Sequence, residues 1–191
     1  MFQKHTALAL AVAIAGAGAA GLAQAPVPSN LIVPAGHMAY LVTLAEGTQY
    51  YICLEGGSGW TWTFYGPQAT LFDAAGTQLA THFLSPNPDE NGVARATWQD
   101  SADTSAVWAG AIASSTDPAY VAPASIPWLL LRVVGSQEGP GGGSALGATT
   151  FIQRVNTAGG VAPATGCRSA RDAGKKALVP YTTDDVFYRA S

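Results

Sequence analysis

Two apolar runs decide the fold: Ile126-Pro127-Trp128-Leu129-Leu130-Leu131-Arg132-Val133-Val134 and Thr149-Thr150-Phe151-Ile152-Gln153-Arg154-Val155-Asn156-Thr157. A glycine-rich stretch from Gly135 to Gly147 separates them, and Gly159-Gly160 follows the second run on the way to Cys167. Short apolar runs bounded by glycine and proline are typical of buried strands. We therefore expect two central β-strands around which the rest of the chain packs.

Short strands and turn signals alternate along the rest of the chain. Trp60 to Tyr65 places Trp60, Trp62 and Phe64 on one face and polar residues on the other, as expected for a half-buried strand. Glu46-Gly47 and Gly66-Pro67 are interpreted as turns that each separate two strands. The count comes to about ten short strands, which predicts an all-β single domain, either a β-sandwich or barrel-like.

The N-terminus has the pattern of a secretory signal peptide over residues 1–25. Lys4 precedes an apolar run from Thr6 to Leu22, and Ala23-Gln24-Ala25 follows as a cleavage pattern. A membrane anchor is the alternative, because the run has the shortest length that can span a bilayer. Residues 26–36 predict an extended, proline-containing arm, and residues 37–191 a single β domain. We expect a secreted or periplasmic protein without a membrane span after signal removal.

Charge and motifs exclude several classes of function. Only 11% of residues are charged, the net charge is −3, and no basic stripe is present. Nucleic-acid binding is therefore not expected, because it depends on neutralising phosphates. The chain contains neither a phosphate-binding loop nor a His-Glu-x-x-His zinc motif, so we predict no cofactor and no metal site.

Cys53 and Cys167 are the two cysteines of the chain. In an exported protein, an even pair of cysteines predicts a disulfide. Two buried free thiols are the alternative. A metal site is not favoured, because two cysteines so far apart lack the spacing of metal ligands.

His82, Trp98, Asp100 and Arg154 are the candidate ligand-binding residues. His82 is expected on the polar face of its strand, and Trp98 opens a polar, aspartate-rich turn where an indole has little reason to be core. Arg154 interrupts an apolar strand, so we expect it to bind a carboxylate in a partly buried network or to contact a ligand. The alternative for His82, and for the tryptophans in general, is a structural role.

Several segments together carry a resemblance to a known family. They are Tyr51-x-Cys53, Ala69-x-Leu71-Phe72-Asp73-x-x-Gly76, His82-Phe83, Pro127-Trp128-Leu129-Leu130-Leu131, Ile152-Gln153-Arg154-x-Asn156-Thr157-x-Gly159-Gly160 and Cys167. From about Gly36 to Tyr188 the chain resembles the secreted family called domain of unknown function 3455. The resemblance implies export and a β domain, and it brings no catalytic residues. The chain departs from the family pattern between His82 and Val107, where Ser85-Pro86 replaces Gly-Pro.

Two classes of function are compatible with these residues. The first is a binding or envelope-associated structural module, with a carbohydrate or a small apolar molecule as its ligand. The second is a secreted hydrolase that uses His82 with a nearby carboxylate. Convergence of His82, Trp98, Asp100 and Arg154 in one cleft favours a ligand site or an enzyme, whereas an isolated His82 favours the structural role.

Overall fold

The structure, a computed structural model, describes residues 26–191 and shows a closed antiparallel barrel of eight strands. Each strand pairs with its neighbours in sequence, and the first pairs with the last. The strands are β1 His37–Gly56, β2 Gly59–Phe72, β3 Gln78–Asn87, β4 Val93–Asp100, β5 Ala106–Ser115, β6 Trp128–Gln137, β7 Thr149–Gly159 and β8 Lys176–Ala190. The all-β prediction is confirmed, in its barrel form. The predicted signal peptide, residues 1–25, lies outside the described residues.

Helical structure is limited to three short 3-10 turns in the described part of the chain. They are Ser29–Leu31, Pro88–Glu90 and Ala170–Asp172. No helix within residues 26–191 has the length and apolarity needed to cross a membrane.

Two predicted turns are in fact continuous strand, which reduces about ten predicted strands to eight. β1 runs through Glu46-Gly47, and a Cβ at Gly47 would lie 2.1 Å from the Gln68 carbonyl oxygen. Glycine at this position therefore permits the close approach of β1 and β2, and it does not end a strand. β2 likewise runs through Gly66-Pro67, next to the register shift between Tyr50 and Tyr51. The hydrogen-bonded ladder between β2 and β3 begins at Ala69. Pro67 therefore lies in a part of β2 that does not pair with β3, where a residue without an N–H is tolerated.

The two central runs of the sequence form β6 and β7. They pair antiparallel, from Leu129 opposite Arg154 to Arg132 opposite Phe151. The glycine-rich connection between them covers one end of the barrel, which we call the closed end. There the Asp103 carboxylate accepts a hydrogen bond from the Ala145 amide at 2.8 Å, and Leu146 is fully buried.

The N-terminal arm covers an apolar patch on the outside of the barrel. Leu31 is 0% exposed and belongs to a cluster with Trp128, Phe151 and Tyr188. Gln153 Nε2 donates to the Leu31 carbonyl at 2.6 Å, and its amide oxygen accepts from Tyr188. Gln153 thus points outward beneath the arm, and its neighbour Arg154 points into the barrel.

The predicted disulfide between Cys53 and Cys167 is confirmed, with Cα atoms 5.5 Å apart and 114 positions apart in sequence. It ties the connection between β7 and β8 to the end of β1. The Cys53 amide also donates to Lys175, and Trp62 Nε1 donates to the Thr165 carbonyl at 2.9 Å. Covalent and hydrogen bonds together hold this connection at the second end of the barrel, which we call the open end.

Replacing both Cys53 and Cys167 with serine should lower the free energy of unfolding by roughly 2–5 kcal/mol, because the unfolded chain regains the freedom that the cross-link removes. Urea denaturation followed by circular dichroism measures this loss. Reduction of the wild-type protein is the matched control and should give a similar loss. An unchanged midpoint in both experiments would contradict a stabilising role for the bond.

Candidate functional site

A cavity of about 250 Å³, partly open to solvent, lies toward the open end of the barrel. It forms because neighbouring strands separate there. The ladder between β2 and β3 covers only Ala69–Phe72, and the ladder between β4 and β5 covers only Ala96–Gln99. The β3–β4 hairpin continues beyond these ladders, from Leu84 opposite Ala96 to Asn87 opposite Val93. The hairpin therefore forms one wall of a space that side chains do not fill.

Small side chains on β4 and β5 leave this space open. Ala94 and Ala96 on β4, together with Ala109 and Ala111 on β5, line the cavity, and Ala96 is directly opposite Ala109. Leucines from β3 and β6 complete a mainly apolar wall. In an eight-stranded barrel, the interior is filled by side chains or holds one small ligand. Four alanines facing one region leave part of this interior without side chains.

His82 and Trp98 form a stacked pair in the wall of the cavity. Their ring centroids are 4.1 Å apart with an interplanar angle of 16°, and the side chains are 5% and 1% exposed. His82 Nδ1 lies 2.9 Å from the Thr97 carbonyl oxygen, which can only accept, so Nδ1 carries the proton. Burial lowers the pKa of His82 from 6.5 to about 4. The imidazole is therefore neutral at pH 7.

Asp185 on β8 is the buried carboxylate next to this pair. Trp98 Nε1 donates to Asp185 Oδ2 at 2.8 Å, and Asp185 is 1% exposed. Asp185 Oδ1 has no hydrogen-bond partner among the described residues. Burial raises the pKa of Asp185 from 3.8 to about 6, and the hydrogen bond from Trp98 and the charge of Arg154 reduce that rise. A single indole thus joins β4 to β8 across the barrel.

Arg154 on β7 also lines the cavity. Its Nη2 donates to the Pro127 carbonyl at 2.8 Å, and its buried Nε has no hydrogen-bond partner in the part of the chain that the structure describes. The ion pairs within residues 26–191 are Arg95–Glu90 and Lys175–Asp172. Arg154 therefore lacks the direct contact with a carboxylate that the expected network requires, and contact with a ligand stays a prediction. Burial of this cation lowers its pKa, and Asp185 offsets that effect only in part.

Three of the four candidate residues come together, and the fourth does not. His82, Trp98 and Arg154 line the same cavity. Asp100 lies near the closed end, where its Oδ1 accepts from the amides of Ala102 and Asp103 at 2.8 and 2.9 Å. It stabilises the turn between β4 and β5, as an aspartate at a turn commonly does.

The surroundings of His82 and Trp98 also differ from those expected. Trp98 is a core residue, because its side chain points from β4 into the barrel and not toward the polar turn that follows. His82 lies on the inward face of β3, with Ala80 and Leu84 on the same side. Glu90, in the turn between β3 and β4, is bound elsewhere, since it accepts two hydrogen bonds from Arg95 at 2.6 and 2.7 Å.

Two features of the cavity were missed in the sequence. Asp185 is not among the predicted site residues, and neither are the alanines of β4 and β5. Alternating small residues on successive strands, as in Ala94-x-Ala96 and Ala109-x-Ala111, are the signal that could have revealed them. Such a pattern leaves one face of a sheet without the large side chains that usually fill a barrel.

A larger depression of about 540 Å³ lies beside β1 and the end of β2. Val42, Leu44 and Phe72 line it, together with the carboxylates of Glu46, Asp73 and Asp184. These carboxylates are accessible to solvent. The smaller cavity is the stronger candidate, because buried polar groups with unmet hydrogen bonds accompany it.

Residues 34–189 match the model of a family described as protein of unknown function (DUF3455). The chain belongs to this family. Membership in DUF3455 confirms the resemblance carried by the Pro-Trp-Leu-Leu-Leu and Ile-Gln-Arg-x-Asn-Thr segments. No curated protein and no solved structure matches the chain. Because the description of DUF3455 names no activity, the functional argument rests on the geometry of the cavity.

The hydrogen bonds of His82 and Asp185 go to separate partners. The imidazole of His82 bonds to the Thr97 carbonyl, and the carboxylate of Asp185 bonds to the Trp98 indole. Within residues 26–191, no hydrogen bond links His82 to a carboxylate or to the hydroxyl of a serine or threonine. A catalytic base usually contacts both its nucleophile and an orienting group.

Replacing His82 and replacing Asp185 should change the pH dependence of stability in opposite directions. The folded pKa of His82, about 4, is below 6.5, so its contribution to stability is present above pH 6.5 and is lost as the pH falls toward 4. The folded pKa of Asp185, about 6, is above 3.8, so its contribution is present below pH 3.8 and is lost as the pH rises through 6. Between about pH 6 and 4.5 the two effects oppose each other in the wild type.

Asp185→Asn, which retains an acceptor for Trp98, should therefore lose about 2–3 kcal/mol of stability as the pH falls from 6.5 to about 4.5. His82→Gln, which retains a donor for Thr97, should instead gain about 2 kcal/mol as the pH falls from 6 to about 4.5. Urea denaturation at each pH measures both slopes. Parallel pH profiles in the two variants would show that these groups are not buried as described.

Proposed function

We propose that this protein is a binding module that holds a small, mainly apolar molecule in the cavity at the open end of its barrel. The observation that carries the proposal is the alanine-lined space between β4 and β5, with His82, Trp98 and Arg154 in its wall. An apolar cavity with a few polar groups at its side is the common design of small-molecule sites. The apolar wall supplies affinity, and the polar groups orient the ligand.

The size of the cavity limits the ligand. A volume of about 250 Å³ exceeds the ~150 Å³ engineered cavity that binds benzene, and it is below the ~300–1,000 Å³ of drug-sized sites. A carbohydrate suits the walls poorly, because alanine and leucine offer no partners for sugar hydroxyls. An aromatic or short aliphatic molecule is the better match.

The disulfide supports a location outside the reducing cytoplasm. Bonds such as Cys53–Cys167 persist in oxidising compartments and are rare in cytosolic proteins. We therefore propose that the domain acts as a secreted or periplasmic protein. The signal peptide over residues 1–25 remains a prediction that the proposal includes.

Filling the cavity should abolish binding without unfolding the barrel. Ala109 is 1% exposed and lies opposite Ala96, so Ala109→Leu places a larger side chain in the cavity. With 1-octanol as the probe, calorimetry should show a dissociation constant raised about tenfold or more. Tryptophan fluorescence provides a second signal in the wild type, because Trp98 forms part of the cavity wall.

Ala102→Leu, in the exposed turn at the closed end, is the matched control and should bind as the wild type does. Equal binding by the Ala109→Leu variant, or no heat and no fluorescence change in the wild type, would contradict the proposal.

A further inference from the structure

We infer that the ligand is a small amphipathic carboxylic acid, and that Arg154 binds its carboxylate inside the barrel while the apolar part lies among the alanines of β4 and β5. This inference rests on the proposed function and specifies the chemical class of its ligand. It also assigns to Arg154 the role of anchoring an anion.

Arg154 has the geometry of a prepared anion site. It is partly buried on the inward face of β7, and the hydrogen bond to the Pro127 carbonyl uses only Nη2. Its Nε is buried and has no hydrogen-bond partner within residues 26–191. A guanidinium carries five N–H donors in a planar fork that matches the two oxygens of a carboxylate. Because Arg154 lines the cavity, we assign its remaining donors to such a group.

Arg154 forms no ion pair with any carboxylate in residues 26–191, and the charge of Asp185 offsets its burial only in part. Burying a cation without a counterion costs free energy, and protein interiors normally pair such a charge or bind a ligand to it. Asp185 is the buried acid in this part of the barrel, but its Oδ2 accepts from Trp98, and no ion pair joins it to Arg154. An anion from outside the chain would supply the missing partner.

The remaining polar groups of the cavity are compatible with a carboxylate. His82 is neutral, so it adds no competing charge. Burial raises the pKa of Asp185 to about 6, so this group is largely protonated, and repels a second carboxylate least, below pH 6. Phe64 and Leu84, which also line the cavity, are 49% and 38% exposed. They offer apolar contacts to the outer part of a ligand whose acid group lies inside.

Octanoate and 1-octanol distinguish anion binding by Arg154 from apolar binding in the cavity, because they share an eight-carbon chain and differ in the head group. In calorimetry with the disulfide-bonded protein at about pH 5.5, where Asp185 is largely protonated and most of the octanoate is still ionised, octanoate should bind about 10- to 100-fold more tightly than 1-octanol. Arg154→Met should remove this preference, so that octanoate and 1-octanol bind the variant with affinities within about threefold of each other. This variant should also fold, since it breaks no ion pair.

Arg132→Met is the matched control, because Arg132 is exposed on β6 and is not part of the cavity wall. It should retain the preference for octanoate. Arg154→Gln, which keeps a donor for Pro127, gives the same test should Arg154→Met not fold.

The possible outcomes distinguish the inference from the proposed function. Equal affinity for octanoate and 1-octanol in the wild type, or a preference that survives in both Arg154 variants, would overturn the role of Arg154 and leave the apolar cavity intact as a site. Failure of both probes to bind the wild type would overturn the proposed function itself. Loss of the preference in the Arg154 variants alone supports the inference.

Discussion

The antiparallel ladder between β1 and β8 is the constraint on which the rest of the structure depends. It runs from His37 opposite Ala190 to Ile52 opposite Lys176, and it closes the sheet into a barrel. Closure pairs every strand with two neighbours, and it sets an interior volume that side chains must fill. Toward the closed end, large residues such as Leu71 and Phe187 fill it. Toward the open end, the alanines of β4 and β5 are too small to fill the interior, and a cavity remains.

The interior of the barrel also contains polar groups that an apolar core would not need. Trp98 is their common neighbour, since it stacks on His82 and donates to Asp185. A neutral histidine, a carboxylate with raised pKa and a partly buried arginine each reduce stability relative to well-packed apolar side chains. Positions that break the rule of an apolar interior are commonly functional positions. In this barrel they lie around one cavity, which is why we assign the ligand site there.

Local sequence patterns predicted the fold class because alternation and turn residues act over a few positions. The strands of the two central runs and the Cys53–Cys167 bond followed from such signals. Glu46-Gly47 and Gly66-Pro67 misled the strand count, because the same residues that make turns also permit coiling and close approach within long barrel strands. The distinction depends on contacts between β1 and β2, which no single segment reveals.

The candidate site was predicted in part for a similar reason. His82 and Arg154 drew attention because each is unusual in its own strand. Asp100 is close to Trp98 in sequence, which is why it was predicted to lie in the same site. Two residues along a strand span about 6.6 Å, however, and this distance places Asp100 nearer the closed end. The bond from Trp98 to Asp185 joins positions 87 residues apart. Only the closed barrel brings those two side chains together.

A crystal structure of the protein grown with octanoate tests the central claim most directly. The account predicts electron density for the ligand inside the barrel, with its carboxylate oxygens about 2.7–2.9 Å from the guanidinium nitrogens of Arg154 and its alkyl chain against Ala96 and Ala109. Octanoate bound only on the outer surface, or bound inside with its carboxylate directed away from Arg154, would contradict it.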